Sequence, residues 1–338
     1  MKHLKIACLL VAMSTPIAAQ TADELVENIV THHILPGFET LAKETQTLAA
    51  AAETDCDAAS RPLRTAYGAA FDAWISASHL RFGPTEEADR GFALAFWPDS
   101  RGATPKALGA LIAAQDPIAQ SPQAYGEVSI AARGFYALEF LLYDTQVSTA
   151  GPAAYRCTLV RTITADIAAT AADIDDAWRH DHAGRLTAPS ATGPYRSDEE
   201  ALQVIFKALT TGLQFTSDAR LGRPLGTFER PHPKRAEAWR SGRSARNVAL
   251  SLASLRDLAV RLAGGDAELA ARLGTSFDHV QRDLVALEDP IFAGVAKPQS
   301  RFRIEAMQQS VDDIRDLVAA RLGPRLGVSA GFNALDGD

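Results

Sequence analysis

Three polar side chains are spaced along one face of an otherwise apolar segment, residues 132–144, ARGFYALEFLLYD. Tyr136, Glu139 and Tyr143 stand at i, i+3 and i+7, so a helix would place two phenols and one carboxylate on a single stripe. The pattern predicts one helix from Gly126 to Tyr143. Since an ionised carboxylate is very costly to bury without a partner, we expect Glu139 to hold another group.

Two roles are open for Glu139 on chemistry alone. It could pair with an arginine and fix the register of two helices, as buried ion pairs do in some proteins. It could also bind a ligand or a metal ion inside a helical bundle, where helical i, i+3 pairs supply such ligands. Both hypotheses predict a polar stripe that is buried.

A second polar stripe consists of small side chains on a helix that is otherwise leucine, alanine and valine: Ser244, Asn247, Ser251 and Ser254. Small hydroxyls along one face allow helices to pack closely, and they could equally line a cavity. Just before this stripe lie Trp239, Arg240 and Arg243, and guanidinium groups suit the recognition of carboxylate or phosphate. Each arginine could instead form a surface salt bridge of small effect on stability.

The motifs of the common catalytic sites are absent. The chain has no H-E-x-x-H, no G-x-S-x-G, no P-loop, no G-x-G-x-x-G and no C-x-x-C-H. His32 and His33 are adjacent, so a helix would direct them to different faces. His180 and His182 are the other close histidines, and we expect them to be solvated.

Helical periodicity extends along almost the whole chain and predicts an all-α fold. Apolar residues recur at spacings of three and four, and alternating runs of Val, Ile and Thr are missing, so we expect almost no sheet. Pro36-Gly37 should kink or break the first helix. Ser197 and Glu200 form a capping-box pattern at the start of another.

The length favours two packed helical bundles, residues 20–183 and 184–338. One long turn-rich segment lies in each half, at residues 81–105 and 219–244, and this similar placement suggests duplication. Loops this long in a helical protein are usually functional or disordered, and their tryptophan and phenylalanine content favours ordered packing.

The first residues predict export. A positive start with Lys2 and Lys5, a short apolar run and small residues before a cut after Ala19 are typical of a cleaved signal peptide, so residues 1–19 would be removed and the protein would be periplasmic. No later segment is apolar enough to predict a transmembrane helix.

Cys56 and Cys157 would remain after cleavage of the signal peptide, and in an oxidising compartment they predict one disulfide. A formal net charge of −7 argues against nucleic acid as a partner.

Several segments together resemble the imelysin-like family of bacterial periplasmic and surface proteins. They are AWISASHLRFGP, FWPDSRG, ARGFYALEFLLYD and EAWRSGRSARN, and their order covers essentially the whole mature chain. The resemblance implies two helical-bundle domains with a functional site between them, and a connection with iron-regulated expression, iron uptake or an insulin-cleaving peptidase. It implies a cleft lined by residues from the matching segments: Trp74, Arg81, Trp97, Arg133, Tyr143, Arg243 and Ser244.

The family motif G-x-H-x-x-E matches here at Gly134 and Glu139, and Tyr136 stands at the histidine position. A histidine and a glutamate could bind zinc, whereas tyrosine is a rare ligand for divalent metals. Phenolate and carboxylate are hard donors, so Glu139 and Tyr136 could hold a ferric-type ion if the pKa of the phenol were lowered. The change also weakens a peptidase hypothesis, because the motif loses its only histidine.

The leading hypothesis is an exported, imelysin-like binding protein connected with iron uptake, whose ligand is a metal ion, iron or another, or a small molecule. A metallopeptidase is the competing hypothesis. A third is a non-enzymatic interaction module for a membrane receptor.

Overall fold

A computed structural model describes residues 20–329, and within this range every regular element is a helix. The all-α prediction is therefore confirmed. The predicted signal peptide, residues 1–19, lies outside the described residues. The α-helices, in chain order, are α1 (Ala22–Ile29), α2 (Leu35–Thr54), α3 (Arg61–Ala77), α4 (Arg90–Leu94), α5 (Ala103–Ala114), α6 (Pro122–Tyr125), α7 (Gly134–Tyr143), α8 (Thr145–Ser148), α9 (Ala153–Ala177), α10 (Ala183–Thr187), α11 (Asp198–Gln214), α12 (Gly222–Leu225), α13 (Ser244–Leu262), α14 (Ala267–Leu287), α15 (Pro298–Leu317) and α16 (Gly323–Leu326).

In the described residues, four π-helical turns join helices that are consecutive in the chain: Val30–Ile34, Trp178–His182, Phe215–Leu221 and Val318–Leu322. The first of them changes the expectation for Pro36, because the helix continues through that residue to Thr54. Proline lacks the N–H that an α-helix would use, and the backbone has shifted to the wider π pattern immediately before it. Such turns often occur at functional sites, and two of these carry the buried side chains of His33 and Arg220.

The helices pack mainly with neighbours from their own half of the chain. In the first half, α2 packs against α3 and α9, and α7 packs against α9. In the second half, α13 packs against α14, and α15 packs against α14 and α11. Helix α1 is an exception, since it packs against α11 and α13, and α3 also contacts α13. The contacts between α1, α3, α11 and α13 therefore join the two halves, and the division at residue 183 stays a prediction.

Local signals in the sequence account for several boundaries. The Ser197 hydroxyl accepts a hydrogen bond from the backbone N–H of Glu200 at 3.4 Å, which caps α11 as the sequence predicts. Cys56 and Cys157 form the predicted disulfide, with a Cα–Cα distance of 5.1 Å. This bond ties the end of α2 to the start of α9. Within residues 20–329, none of the helices has the length and apolar composition that crossing a bilayer requires.

Candidate functional site

The prediction of one helix from Gly126 to Tyr143 is wrong. The helix that carries Tyr136 and Glu139 starts eight residues later than the sequence pattern indicates. Helix α7 begins at Gly134, whose φ of +74° lies in the left-handed region. A Cβ at this position would clash with the backbone carbonyl oxygens of Ala93 and Leu94. Glycine is therefore required both for the backbone conformation and for the close approach of α4. This contact fixes the start of the helix that carries Tyr136 and Glu139.

Glu139 is almost completely buried, with 2% of its surface exposed. Its Oε1 atom accepts two hydrogen bonds from Ser241, one from the backbone N–H at 2.9 Å and one from the hydroxyl at 2.7 Å. Burial raises the pKa of Glu139, and the hydrogen bonds from Ser241 and the charge of Arg240 only partly oppose it. Glu139 therefore forms no ion pair with an arginine of the described residues, and its hydrogen bonds are made at one oxygen. The other oxygen, Oε2, has no hydrogen bond to the described residues.

Tyr136 belongs to a buried network of polar side chains. Its hydroxyl donates a 2.5 Å hydrogen bond to Oε1 of Glu237, while Oε2 of Glu237 accepts from Arg220 at 2.8 Å and from Asn247 at 3.1 Å. Burial raises the pKa of the Tyr136 phenol well above its usual range, and the charge of Glu237 adds to this effect. The phenol is therefore a protonated donor. The arginine pair expected for a buried glutamate belongs to Glu237 instead of Glu139.

The small polar residues of α13 hold this network in place. Ser251 accepts a hydrogen bond from Arg220 at 3.1 Å, and Ser254 donates to the carbonyl oxygen of Ser76 on α3 at 2.6 Å. Asn247 binds Glu237 directly, as described above. The predicted polar stripe thus allows close packing and satisfies a buried ion pair, rather than lining an open cavity.

An open cleft of about 170 Å³ lies beside Tyr136 and Glu139. Both halves of the chain contribute to it, through α7, the segment around Trp97 and the turn-rich segment that contains residues 223–240. No histidine or cysteine from residues 20–329 lines it. The lining residues are Phe96, Trp97, Asp99, Gly102, Thr104, Pro105, Tyr136, Glu139, Phe140, Arg223, Lys234, Arg235, Ala236, Ala238, Trp239 and Arg240.

Of the residues predicted from the family segments, the structure brings Trp97 to this cleft together with Tyr136 and Glu139. The indole of Trp97 stacks on Tyr136, with ring centroids 6.2 Å apart. Trp74 lies in the apolar core instead, with 2% of its surface exposed. Ser244 is also buried and does not line the cleft.

Three predicted arginines are also absent from the lining, and each pairs with a carboxylate elsewhere. Arg81 pairs with Glu86, Arg133 forms two hydrogen bonds to Asp166 at 2.7 and 2.9 Å, and Arg243 pairs with Asp72. The Tyr143 ring instead stacks under the Arg64 guanidinium, 4.5 Å away. Three of the four matching segments contribute to the lining, and AWISASHLRFGP does not. The resemblance also did not show which side chain of each segment faces the cleft.

The residues that line the cleft without having been predicted to do so come from the segment 219–244, from residues 96–105 before and at the start of α5, and from α7. Arg240 is one of them. It donates to Asp144 at 2.7 Å and lies over the ring of Phe140 at 3.8 Å. Asp99 is another, and its carboxylate accepts hydrogen bonds from the backbone N–H groups of Ala103 and Thr104, both at 2.8 Å. The length and the arginine and tryptophan content of segment 219–244 were the available signal.

The side chains at the cleft do not form a ready site for a bare metal ion. In the described part of the chain, no group of three or more His, Cys, Asp or Glu side chains is arranged to hold one. The phenol of Tyr136 is committed to Glu237, and its raised pKa opposes the phenolate that a ferric ion would require. Metal binding by Glu139 and Tyr136 stays a prediction that this arrangement does not favour.

A second polar cluster lies where α1, α3 and α13 meet. Nδ1 of His33 is 2.8 Å from Asp257, and its Nε2 is 2.9 Å from Nε2 of His79. The carboxylate of Asp257 can only accept a hydrogen bond, so a neutral His33 carries its proton on Nδ1. Nε2 of His33 then accepts the hydrogen bond that His79 donates. Burial lowers the pKa of His79 well below its usual range, and the charges of His33 and Arg220 add to this effect. No pattern in the sequence connects His33 with His79.

Comparisons with known proteins agree with this fold. A solved structure of an imelysin-like protein from Psychrobacter arcticum 273-4 superposes with a TM-score of 0.77 at 20% identity, covering 94% of this chain and 100% of that chain. A protein from Parabacteroides distasonis ATCC 8503, assigned as an iron-regulated protein A precursor, gives a TM-score of 0.75 at 14% identity, covering 92% of this chain and 96% of its own. Among curated proteins, none matches the chain. The imelysin family model matches residues 34–318, and the chain therefore belongs to the imelysin family.

Proposed function

We propose that this protein is an exported binding protein that takes up a small ligand at Glu139 in connection with iron acquisition. The observation that carries the proposal is the state of the Glu139 carboxylate. Ser241 donates two hydrogen bonds to Oε1, and Oε2 has no hydrogen-bond partner among residues 20–329 although Glu139 lines the cleft. Oε2 is not among the fully buried unpartnered atoms, so it is accessible from the cleft, and a ligand there can bond to it in place of water.

The walls of the cleft favour binding over catalysis. Trp97 and Trp239 offer large aromatic surfaces, while arginine and lysine side chains surround them. Concave sites with aromatic walls and a few placed polar groups are the usual form of small-molecule sites. Among the described residues, the lining has no histidine or cysteine that could serve as a base or nucleophile.

Export is supported by two separate features of the chain. The sequence of residues 1–19 has the composition of a signal peptide, and Cys56 and Cys157 are close enough to form a disulfide. Disulfides persist in oxidising compartments, so a periplasmic location fits both. The connection with iron rests on the family and on the description of the Parabacteroides distasonis protein.

Native mass spectrometry and elemental analysis of protein isolated from a periplasmic extract would test the proposal. Wild-type protein should carry an added mass that is lost on denaturation, and its iron content should exceed that of Glu139→Gln. The glutamine keeps the acceptor for Ser241, so helical circular dichroism should be the same in both. An identical ligand mass and metal content in both proteins would refute the role of Glu139.

A further inference from the structure

Three cations at the cleft have no carboxylate partner in the described part of the chain: Arg223, Lys234 and Arg235. Most other arginines near the site are neutralised. Arg220 pairs with Glu237, and Arg240 pairs with Asp144. A cluster of unpaired cations is unexpected in a chain whose formal net charge is −7.

Two of these cations, Arg223 and Arg235, repel each other. Arg223 is half-buried, its Nε atom is buried without a hydrogen-bond partner, and its pKa is lowered by burial and by the charge of Arg235. Like charges placed together with no counterion destabilise a fold unless something else neutralises them. An anion in the cleft would neutralise them and would give Arg223 a hydrogen-bond acceptor.

Aromatic rings hold two of these cations at the walls of the cleft. The Arg223 guanidinium lies 5.8 Å from the centre of the Trp97 ring, and the Lys234 ammonium lies 5.7 Å from the centre of the Trp239 ring. Such cation–π contacts favour a defined position for a long side chain. The positive groups are therefore spread over the two aromatic walls rather than gathered at one point.

The helix terminus that could bind phosphate is already occupied. Phosphate sites commonly use the free N–H groups at a helix N-terminus. Here the backbone N–H groups of Ala103 and Thr104, at the start of α5, donate to Asp99. The remaining donors are separate side-chain cations, which suit several carboxylates better than one compact phosphate. The cleft volume of about 170 Å³ is below the range of drug-sized sites, so the ligand should be small.

We propose that the cleft binds a small organic polycarboxylate, with its carboxylates at Arg223, Lys234 and Arg235 and an oxygen atom at Oε2 of Glu139. A hydroxyl of such a ligand can donate to Oε2, the oxygen of Glu139 that Ser241 does not contact. The inference rests on the proposed function and specifies the ligand class. Iron bound to such a ligand would enter as an anionic complex, which removes the need for a protein site for the bare ion.

Isothermal titration of ligand-stripped protein tests the inference with four probes: citrate, tricarballylate, pyrophosphate and spermidine. The two tricarboxylates should bind, more weakly as NaCl is raised. Spermidine should not bind. Pyrophosphate binding more tightly than both tricarboxylates would overturn the choice of a polycarboxylate, and binding of spermidine alone would overturn an anion site altogether.

The discriminating variant is Arg223→Gln, with Arg230→Gln as its control. Arg230 lies on the same segment, is exposed and does not line the cleft. Loss of one charged hydrogen bond should weaken citrate binding about tenfold in Arg223→Gln, while Arg230→Gln should change it less than about twofold. Equal effects of the two substitutions would refute the assignment of Arg223. Arg223→Gln should also melt no lower than wild type without ligand, because it removes an unpaired charge.

The two proposals can fail separately. A Glu139-dependent ligand in the periplasmic extract together with no binding of either tricarboxylate would overturn the polycarboxylate and leave the binding function intact. Tricarboxylate binding that depends on Arg223, with no Glu139-dependent ligand in the extract, would overturn the proposed function and support the anion site.

Discussion

Ser241 donates both its backbone N–H and its hydroxyl to the same oxygen of Glu139, at 2.9 and 2.7 Å. The two residues are about a hundred positions apart in the chain, and their contact joins α7 to the segment that precedes α13. One oxygen of a buried carboxylate is thereby fixed by the protein, while the other remains available at the cleft. The contact thus connects the packing of the two halves with the binding site.

Ser241→Ala should lower the free energy of unfolding by about 1–3 kcal/mol, since Oε1 of Glu139 would lose one of two hydrogen bonds in a buried position. Urea unfolding followed by circular dichroism measures this change. In a Glu139→Gln background the same substitution should cost less, because a neutral acceptor is cheaper to leave partly unsatisfied. Equal losses in the two backgrounds would show that Ser241 acts through other contacts.

Gly134→Ala should be among the most destabilising single substitutions in the protein, with a loss of more than about 2 kcal/mol. The alanine would have to adopt a φ of +74°, and its Cβ would meet the carbonyl oxygens of α4. Gly109→Ala is the matched control. It lies exposed inside α5, no atom lies within 4 Å of an added Cβ, and alanine should stabilise that helix by about 0.5–1 kcal/mol. Thermal unfolding should show a lower melting temperature for Gly134→Ala and a higher one for Gly109→Ala than for wild type. Equal melting temperatures of the two variants would contradict the account of Gly134.

Gly134 also shows how far the sequence could predict the fold. Helical periodicity correctly predicts the all-α class, and Ser197 correctly marks the start of α11. Periodicity could not locate the start of α7, because the residues before Gly134 are also apolar and small. The boundary depends on a contact with α4, about 40 residues earlier in the chain, and local patterns carry no information on such contacts.

The stability of the protein should fall as the pH drops below about 6.5, the usual pKa of an unfolded histidine. Burial keeps His79 neutral in the folded state, so the unfolded chain binds more protons and protonation favours unfolding. The groups that face His79 are His33, Asp257 and Arg220. A histidine whose pKa is lowered by folding changes the free energy of unfolding by at most about 1.4 kcal/mol per pH unit, between its pKa in the folded state and its pKa in the unfolded state.

His79→Gln removes this titration and should flatten the dependence of the unfolding free energy on pH between pH 7 and pH 5. Urea midpoints at several pH values measure it. His32→Gln is the control, since His32 is exposed and adjacent to His33 in the chain. A pH dependence that is the same in His79→Gln and in wild type would assign the acid sensitivity to other groups.

Removal of the disulfide with Cys56→Ser and Cys157→Ser should lower the free energy of unfolding by about 2–5 kcal/mol. The bond closes a loop with a sequence separation of 101, which restricts the unfolded chain. Urea unfolding of the double variant beside oxidised wild type measures the loss. Reduced wild type should resemble the variant, and a stability equal to that of the oxidised protein would contradict a structural role.

The site was harder to predict than the fold. The pattern of α7 correctly selected Tyr136 and Glu139 as buried polar residues, but it could not supply their partners, Glu237 and Ser241. Those partners lie in a long segment without periodicity, where side-chain direction depends on tertiary packing. For the same reason Arg243 was selected from that segment while Arg223 was not, although the structure pairs the first with Asp72 and leaves the second unpaired.

The tyrosine in place of the motif histidine should determine whether this chain binds a divalent metal. Tyr136→His would place an imidazole beside the carboxylate of Glu237 and three residues before Glu139, which brings together the nitrogen and oxygen ligands that zinc accepts. We expect Tyr136→His to bind zinc stoichiometrically in equilibrium dialysis and wild type to bind none under the same conditions. Tyr136→Phe removes the hydroxyl without adding a ligand, so it should remain free of zinc. Zinc binding by Tyr136→Phe equal to that of Tyr136→His would show that the metal is held elsewhere, and binding by wild type would show that the phenol does not prevent it.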